Sequence, residues 1–428
     1  MKYFLPDWED RLDPKFDFET DEYSRDRAEA YESDVYAHQV FKDPPCDGIL
    51  ISLATFQGGK LPLEKDGLEV NLRGRKTIKG YLKLHKISKP LEVMGDCGAF
   101  EYVNEDKPPK HFGTARVAKL YQQLKFDYGV SVDHMVVDFV YKDNGKSKLK
   151  KIKLTQEEKE ARRKLSIYNA DRFINYHREK NLSFVPIGAA QGLNPSTYAD
   201  SVNRLIEMGY AYIGIGTLIP KTDEEIIDIL KQVNVVKNKL SFKQQKNLKL
   251  HLLGVVRPKK LKEFVSLGVT SLDSASFLRK AWLRSGQNYL AHDGQWYSAI
   301  RVPYSDNENL VANAEKDGIT LDKLKQMEKK CLDSLQQYED KNTTVRRVVN
   351  ALINYDQLLL RDFDGNHHKD KYEKTLRERP WEKCKCEMCK TLGIHVVVFR
   401  GCNRNKRRGF HNVYVLYNEM INGKAKTN

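Results

Sequence analysis

FVPIGAAQGLNPSTYADSVNRLIEMGYAYIGIG, residues 184–216, carries the pattern from which the fold follows. An apolar run, Phe184–Ala190, is succeeded by a stretch from Pro195 to Met208 whose apolar side chains recur at helical spacing. A second apolar run, Ala211–Gly216, closes the segment. Short apolar runs bounded by turn residues are buried strands. Proline at position 195 suits the first turn of a helix, where its missing N–H has no partner to lose. Strand, helix and strand in this order join two parallel strands.

The same rhythm extends outward. Gly48–Leu53, Leu91–Gly95, His134–Tyr141, Leu248–Val255 and Val269–Asp273 are further expected strands. Thr114–Phe126, Gln156–Glu179, Asp223–Val236 and Pro258–Ser266 are the expected helices between them. Seven strands, with an eighth expected beyond them, predict an α/β fold of the (β/α)8 TIM-barrel type. An open doubly wound sheet is the alternative, because spacing does not reveal strand order. Residues 306–380 leave this rhythm for polar helices, including Leu321–Tyr338 and Thr343–Arg361.

Composition agrees with a packed protein: 40% of the 428 residues are hydrophobic and 10% aromatic, with 26 Gly and 14 Pro. The longest uncharged run, Asn181–Ala199, is broken by Pro186, Asn194 and Pro195, so no membrane span is expected. Residues 1–10, MKYFLPDWED, lack a charged segment followed by an apolar one, so a cytoplasmic protein is expected. Lys and Arg outnumber Asp and Glu by 73 to 58, a net +15 that favours a polyanionic partner. The excess is uneven: residues 1–35 hold twelve acidic and five basic side chains. Basic loops are expected at Lys142, Lys146, Lys148, Lys150, Lys151 and Lys153, and at Arg400, Arg404, Lys406, Arg407 and Arg408.

Seven cysteines are too few for a disulfide scaffold, and three of them fall at Cys384, Cys386 and Cys389. A C-x-C-x2-C turn gathers three thiolates, and tetrahedral zinc needs one more ligand. His411 is the choice, with His395 and Cys402 as rivals in the same segment. Zn2+ is therefore the expected metal, in a closed structural site. The expected organisation is an acidic arm (1–45), a barrel (46–305), a helical insertion (306–380), and an inserted zinc-binding subdomain with a C-terminal helix (381–428).

Barrel enzymes work at the C-terminal ends of their strands. Three carboxylates qualify: Asp96 after LEVMG, Asp138 in HMVVDFVY, and Asp273 at the end of VTSLD. The small residues in the run Cys97, Gly98, Ala99 and Phe100 after Asp96 let a substrate approach the backbone, and the glycines of AAQG (189–192) and YIGIG (212–216) accompany the three carboxylates.

Together these motifs resemble the tRNA-guanine transglycosylase family. GDCGAFEY (95–102) resembles its G-D-S-G-G-F-Q, AAQGLN (189–194) its Q-G segment, and YIGIGTLI (212–219) its G-G-L-A stretch. GVTSLDSASFLRKAWLRSG (268–286) resembles its nucleophile segment, and the cysteine cluster followed by GFHN (409–412) its zinc site, which favours His411. The resemblance implies that Asp273 is the nucleophile and Asp96 the acid/base group. It implies that Asp138 reads the base, that Gln191, Gly192, Gly216 and Leu218 line the base pocket, and that Phe100 stacks on the ring. Arg279 and Arg284 match motif arginines, Arg284 only with a two-residue insertion.

The sequence departs from the family pattern at Cys97, Glu101, Thr217, Ser274, Phe277 and Leu278. Ordinary tRNA-modifying members lack the helical insertion and the acidic arm FLPDWEDRLDPKFDFETDEYS (4–24), and that arm, followed by DVYAHQVF (34–41), resembles the divergent DNA-modifying branch, the DpdA-type 7-deazaguanine DNA transglycosylases. That implies exchange of guanine in DNA for 7-cyano-7-deazaguanine (preQ0) through a covalent aspartyl-glycosyl intermediate. The basic surface would grip DNA, with Arg404, Lys406, Arg407 and Arg408 among its cations. Companion DNA-modification proteins are implied partners, and a homodimer is implied by tRNA-acting members. A tRNA-acting enzyme and a catalytically inactive zinc-containing nucleic-acid-binding protein are the alternatives.

Overall fold

A computed structural model of the chain describes residues 1–7, 10–27, 29–54, 72–143, 149–283, 286–359 and 365–422. Packing divides the chain into two units, Met1–Glu9 with Cys46–Ala275 and Asp10–Pro45 with Ser276–Asn428.

In the first unit the strands are β1 (Lys2–Pro6), β2 (Gly48–Ser52), β3 (Glu92–Asp96), β4 (Tyr128–Val130), β5 (Phe139–Asp143), β6 (Leu149–Lys153), β7 (Val185–Ala190), β8 (Tyr212–Ile215), β9 (Lys249–Leu252) and β10 (Val269–Asp273). All but β5 and β6 form a closed parallel barrel in the order β1-β10-β9-β8-β7-β4-β3-β2. The expected (β/α)8 barrel is therefore present, with two changes of strand.

The eighth strand does not lie beyond Asp273. It is β1, at the start of the chain, and it closes the barrel by pairing Phe4 with both Gly48 and Asp273. The apolar run KYFLP was hidden by the acidic residues that follow it. The run His134–Tyr141 is not a barrel strand either. β4 is three residues long and lies earlier, while β5 pairs antiparallel with β6 in a hairpin. The hairpin strands expose alternate aromatic and lysine side chains, which a buried barrel strand would not tolerate.

Phe4, Leu50, Met94, Tyr128, Val130, Ile187, Ala189 and Tyr212 form the core cluster of the barrel. Their rings meet edge to face, Phe4 with Tyr128 at 6.0 Å and Tyr128 with Tyr212 at 5.5 Å between centroids. Each such side chain contributes about 1.5–3 kcal/mol by leaving water. The crossover helices begin where the sequence caps them. Thr155, Asn194 and Thr222 each accept the backbone N–H three residues on, and each forms a capping box with that residue's side chain. A cap of this kind adds about 1 kcal/mol and fixes where the loop after each strand ends.

The barrel unit runs to Ala275, and from Ser276 onward the chain belongs to the second unit. Past β1, the acidic arm belongs to this unit. Among the described residues the insertion holds the helices Glu308–Lys316, Leu321–Glu339, Val345–Leu359 and Gly365–Glu378. The expected basic loop at Arg400–Arg408 is the start of the helix Gly401–Val415, and its arginines are buried: Arg404 is 1% exposed and Arg408 0%. Arg408 donates to the carbonyls of Ala281, Val396 and Val398. Arg404 reaches the Phe18 carbonyl and the Asp21 carboxylate, and Arg407 the Asp13 carbonyl at 2.7 Å. Lys406 donates to the Arg11 carbonyl at 2.9 Å. Arg404, Lys406 and Arg407 hold the acidic arm and Arg408 bonds the carbonyls around its own helix; the three arginines do not form a DNA-gripping surface, because a guanidinium already bonded in the interior cannot reach a phosphate.

Candidate active site and candidate metal centre

Asp96 ends β3, and its Oδ2 accepts the Gly98 N–H at 3.0 Å. Gly98 adopts φ 83°, and a Cβ there would stand 2.4 Å from Ala54 and 2.5 Å from the Ser52 hydroxyl, so only glycine makes this turn. Burial, followed by the charges of Asp133 and Asp273, pushes the Asp96 carboxyl up to about 7. This is the setting of a proton carrier at neutral pH.

Asp138 lies elsewhere. At the root of the hairpin its side chain is 72% exposed and ion-paired with Lys159. The carboxylate that joins Asp96 is Asp133, three residues past β4, which sequence reasoning missed. Its burial raises its pKa. Asp96, Cys97 and Asp133 present ligand atoms within 4.8 Å of one another. The signal was present in GVSVDH (129–134), where an aspartate ends an alternating run, but the apolar stretch after it carried the strand assignment.

Asp133 Oδ2 accepts from Gln191 Nε2 at 2.6 Å, and Gln191 Oε1 accepts from the Thr217 hydroxyl at 2.6 Å. Two opposite bonds therefore fix which way the Gln191 amide faces. Thr217 departs from the family glycine, and its φ of 53° is left-handed, a strain of about 1–2 kcal/mol for a residue with a Cβ. Its hydroxyl bond to Gln191 offsets that strain. Gly216 makes room for the same amide, since a Cβ there would lie 2.3 Å from Nε2. Gly192 lies against Tyr198, Leu218 is fully buried, and Phe100 is 69% exposed in the turn after β3. Cys97, where the family has serine, bonds to the Tyr102 hydroxyl at 3.1 Å and faces Asp133 at 3.4 Å. Burial keeps it a thiol.

Asp273 ends β10 and is 5% exposed. Its Oδ1 meets His251 Nε2 at 3.0 Å and the Gly254 N–H at 2.9 Å. His251 Nδ1 meets the Ser271 hydroxyl at 2.8 Å, which meets the Tyr212 hydroxyl at 2.6 Å. A carboxylate only accepts, so Nε2 carries the proton. With a neutral ring, Ser271 donates to Nδ1 and Tyr212 donates to Ser271. His251 was visible as the polar member of LHLL (250–253) but was not singled out. Arg279 is exposed in the short helix Ser276–Lys280, and Arg284 lies outside the described residues.

In the second unit Cys384, Cys386, Cys389 and His411 are buried and converge, with their ligand atoms within 4.8 Å of one another. His411 Nδ1 lies 3.3 Å from both Cys386 and Cys389 Sγ and 3.6 Å from Cys384 Sγ. Its other nitrogen donates to the Leu290 carbonyl at 2.7 Å, which frees Nδ1 for a metal and fixes the ring. The Tyr289 ring stacks on His411 at 4.1 Å. His395 and Cys402, the rivals, lie outside this cluster. Four soft or nitrogen donors in a closed tetrad are a donor set that can hold a metal ion.

A family model described as Queuine tRNA-ribosyltransferase matches residues 147–426. A DNA-guanine transglycosylase from Salmonella montevideo is 34% identical over 421 residues, covering 98% of this chain and 96% of that protein. Among the described residues no helix is long and apolar enough to cross a membrane.

Proposed function

The chain belongs to the tRNA-guanine transglycosylase family of base-exchanging glycosyltransferases, and from that premise we propose that it exchanges guanine in DNA for 7-cyano-7-deazaguanine. The observation that carries the reading is the placing of three aspartates at the C-terminal side of the barrel strands, Asp96 as the last residue of β3, Asp133 three residues past β4 and Asp273 as the last residue of β10. Burial, and after it the charges of Asp133 and Asp273, raise the proton affinity of Asp96.

In the proposed reaction the free oxygen of Asp273 attacks C1′ of the deoxyribose. A C1′–O bond forms, the C1′–N9 bond breaks, and guanine leaves with a proton from Asp96. The phosphodiester chain stays intact. The incoming base gives its N9 proton to Asp96, and N9 displaces the Asp273 carboxylate from C1′. Splitting one exchange into two displacements lowers each barrier. Asp133 accepts from the ring N1–H and the exocyclic amine, a donor pair that adenine does not offer. Gln191, Gly192, Gly216 and Leu218 shape the pocket, with Phe100 as the ring that covers the base. His251 and the Gly254 N–H hold Oδ1 so that Oδ2 faces the sugar.

Zn2+ fits Cys384, Cys386, Cys389 and His411 as a structural ion in the second unit, with no step of the exchange routed through it. The relative named for DNA, aligned along nearly the whole chain, supports DNA as the polymer. The family description supports tRNA as the second reading. Labelled 7-cyano-7-deazaguanine, offered with DNA and with tRNA and followed by nucleoside mass spectrometry, decides between them. Label in deoxynucleoside, lost in Asp273→Ala, is the expected result, and label only in ribonucleoside would overturn the DNA reading.

A further inference from the structure

Between Asp133 and the helix Gln156–Glu179 the chain makes a hairpin that the exchange chemistry does not use. In it Phe139 stands opposite Lys153 and Tyr141 opposite Lys151. Alternation puts these four side chains on one face and Val140 and Ile152 on the other. Val140 is fully buried and Ile152 partly so, and at this pair the second face packs inward. The first faces solvent, with Phe139 42% and Tyr141 46% exposed and the Lys151 ammonium 4.0 Å from the centre of the Phe139 ring.

The hairpin is anchored at the site. The Tyr141 N–H donates to Asn104 Oδ1 at 2.8 Å, and Lys142 pairs with Asp106 at 2.9 Å. Arg162 joins the carbonyls of Val103, Glu105 and Met135, and the Tyr102 hydroxyl donates to the Asp133 carbonyl at 3.0 Å. These bonds tie the hairpin to the loop after β3 that bears Phe100. Three exposed rings thus ride on the assembly that also carries Asp96 and Asp133.

We propose that this face binds the DNA strand flanking the exchanged nucleotide, with unstacked bases on Phe139 and Tyr141 and phosphates on Lys151 and Lys153. Removing one base from the stack leaves its neighbours with bare faces, and every base has a π-face that an aromatic ring can cover. Each ring faces a lysine across the strand pair, an arrangement that suits a polyanion carrying flat apolar groups better than an apolar protein surface. The inference rests on the reading of the chain as a DNA-acting enzyme.

The test uses the full chain and a fluorescein-labelled single-stranded DNA oligonucleotide, alone and as a duplex, titrated by anisotropy across a range of salt, with unlabelled tRNA as competitor. Phe139→Ala with Tyr141→Ala should weaken binding of the single strand on the order of tenfold per ring at unchanged salt slope. Lys151→Glu with Lys153→Glu should flatten the slope of log K against log salt by about 1.5. If the aromatic pair fails to fold, the lysine pair decides alone. Wild-type affinity and slope in the folded variants would overturn the proposal, as would tRNA displacing the oligonucleotide more effectively than unlabelled DNA of the same length. Exchange of labelled base into DNA by the wild type is read in parallel. No exchange together with lost binding in the variants would remove the DNA-exchange reading and leave the surface standing. Exchange with unaltered binding in the variants would remove the surface alone.

Discussion

Asp273 and His251 are joined through one oxygen: Oδ1 takes both the His251 Nε2–H at 3.0 Å and the Gly254 N–H at 2.9 Å, and Oδ2 has no hydrogen bond among the described residues. A carboxylate held this way presents one oxygen for attack and keeps the other stabilised as charge leaves and returns. His251→Phe removes the donor and leaves the aromatic packing with Phe4, whose ring centroid lies 5.8 Å away. We expect the exchange rate to fall on the order of 10²-fold, with little change in KM for the free base. His251→Gln, which keeps an N–H, should recover part of it. Equal loss in both variants, or a change confined to KM, would count against this role.

The raised Asp96 carboxyl predicts a pH dependence of both rate and stability. In the proposed exchange one displacement needs the acid and the other the base, so the exchange rate should peak near pH 7 and fall on both sides. A carboxyl whose folded pKa lies above its unfolded value binds the proton more tightly when folded. Its contribution therefore falls as pH rises from about 4 to about 7. Asp96→Asn, which cannot ionise, should be more stable than wild type above pH 7 by about 1–3 kcal/mol and no more stable near pH 4. Urea melts at the two pH values read this directly.

Asp133 and Asp138 have opposite expectations. Asp133→Asn replaces one acceptor oxygen by a donor beside Gln191, so recognition of guanine should weaken on the order of 10²-fold in kcat/KM. Asp138→Asn loses only an exposed pair with Lys159, worth under about 1 kcal/mol, and exchange should stay within about twofold of wild type. Thr217→Val, which frees the Gln191 amide to turn, should raise KM for the base more than it lowers kcat.

The barrel was legible because buried parallel strands are written as apolar runs, and Phe184–Gly216 holds a whole strand–helix–strand unit. The Cys3His tetrad was legible because three of its members are neighbours in sequence. What failed did so where burial was decided at long range. KYFLP became a strand only through pairing with Gly48 and Asp273, far along the chain. HMVVDFVY was apolar enough to imitate a barrel strand, although its alternation belongs to a hairpin. The arginines of CNRNKRRG (402–409) read as surface because the carbonyls and carboxylate that receive them lie some ten to nearly four hundred residues away.

The same arginines give a prediction that separates structure from binding. Arg408 is fully buried, with its N–H groups on three backbone carbonyls, so Arg408→Ala leaves those carbonyls unpaired and a cavity behind. The expected loss is about 3 kcal/mol or more of folding stability, with the salt slope of DNA binding unchanged in the protein that remains folded. The Cys3His tetrad lies in the same unit, and with the proposed zinc bound Cys386→Ser should act similarly: the purified wild-type chain should carry about one zinc per molecule, and the variant should lose it and melt earlier. If Arg408→Ala instead kept its melting temperature and flattened the salt slope, the side chain would have to leave the interior to meet the phosphates. The assignment of this helix to the protein's core would then be wrong.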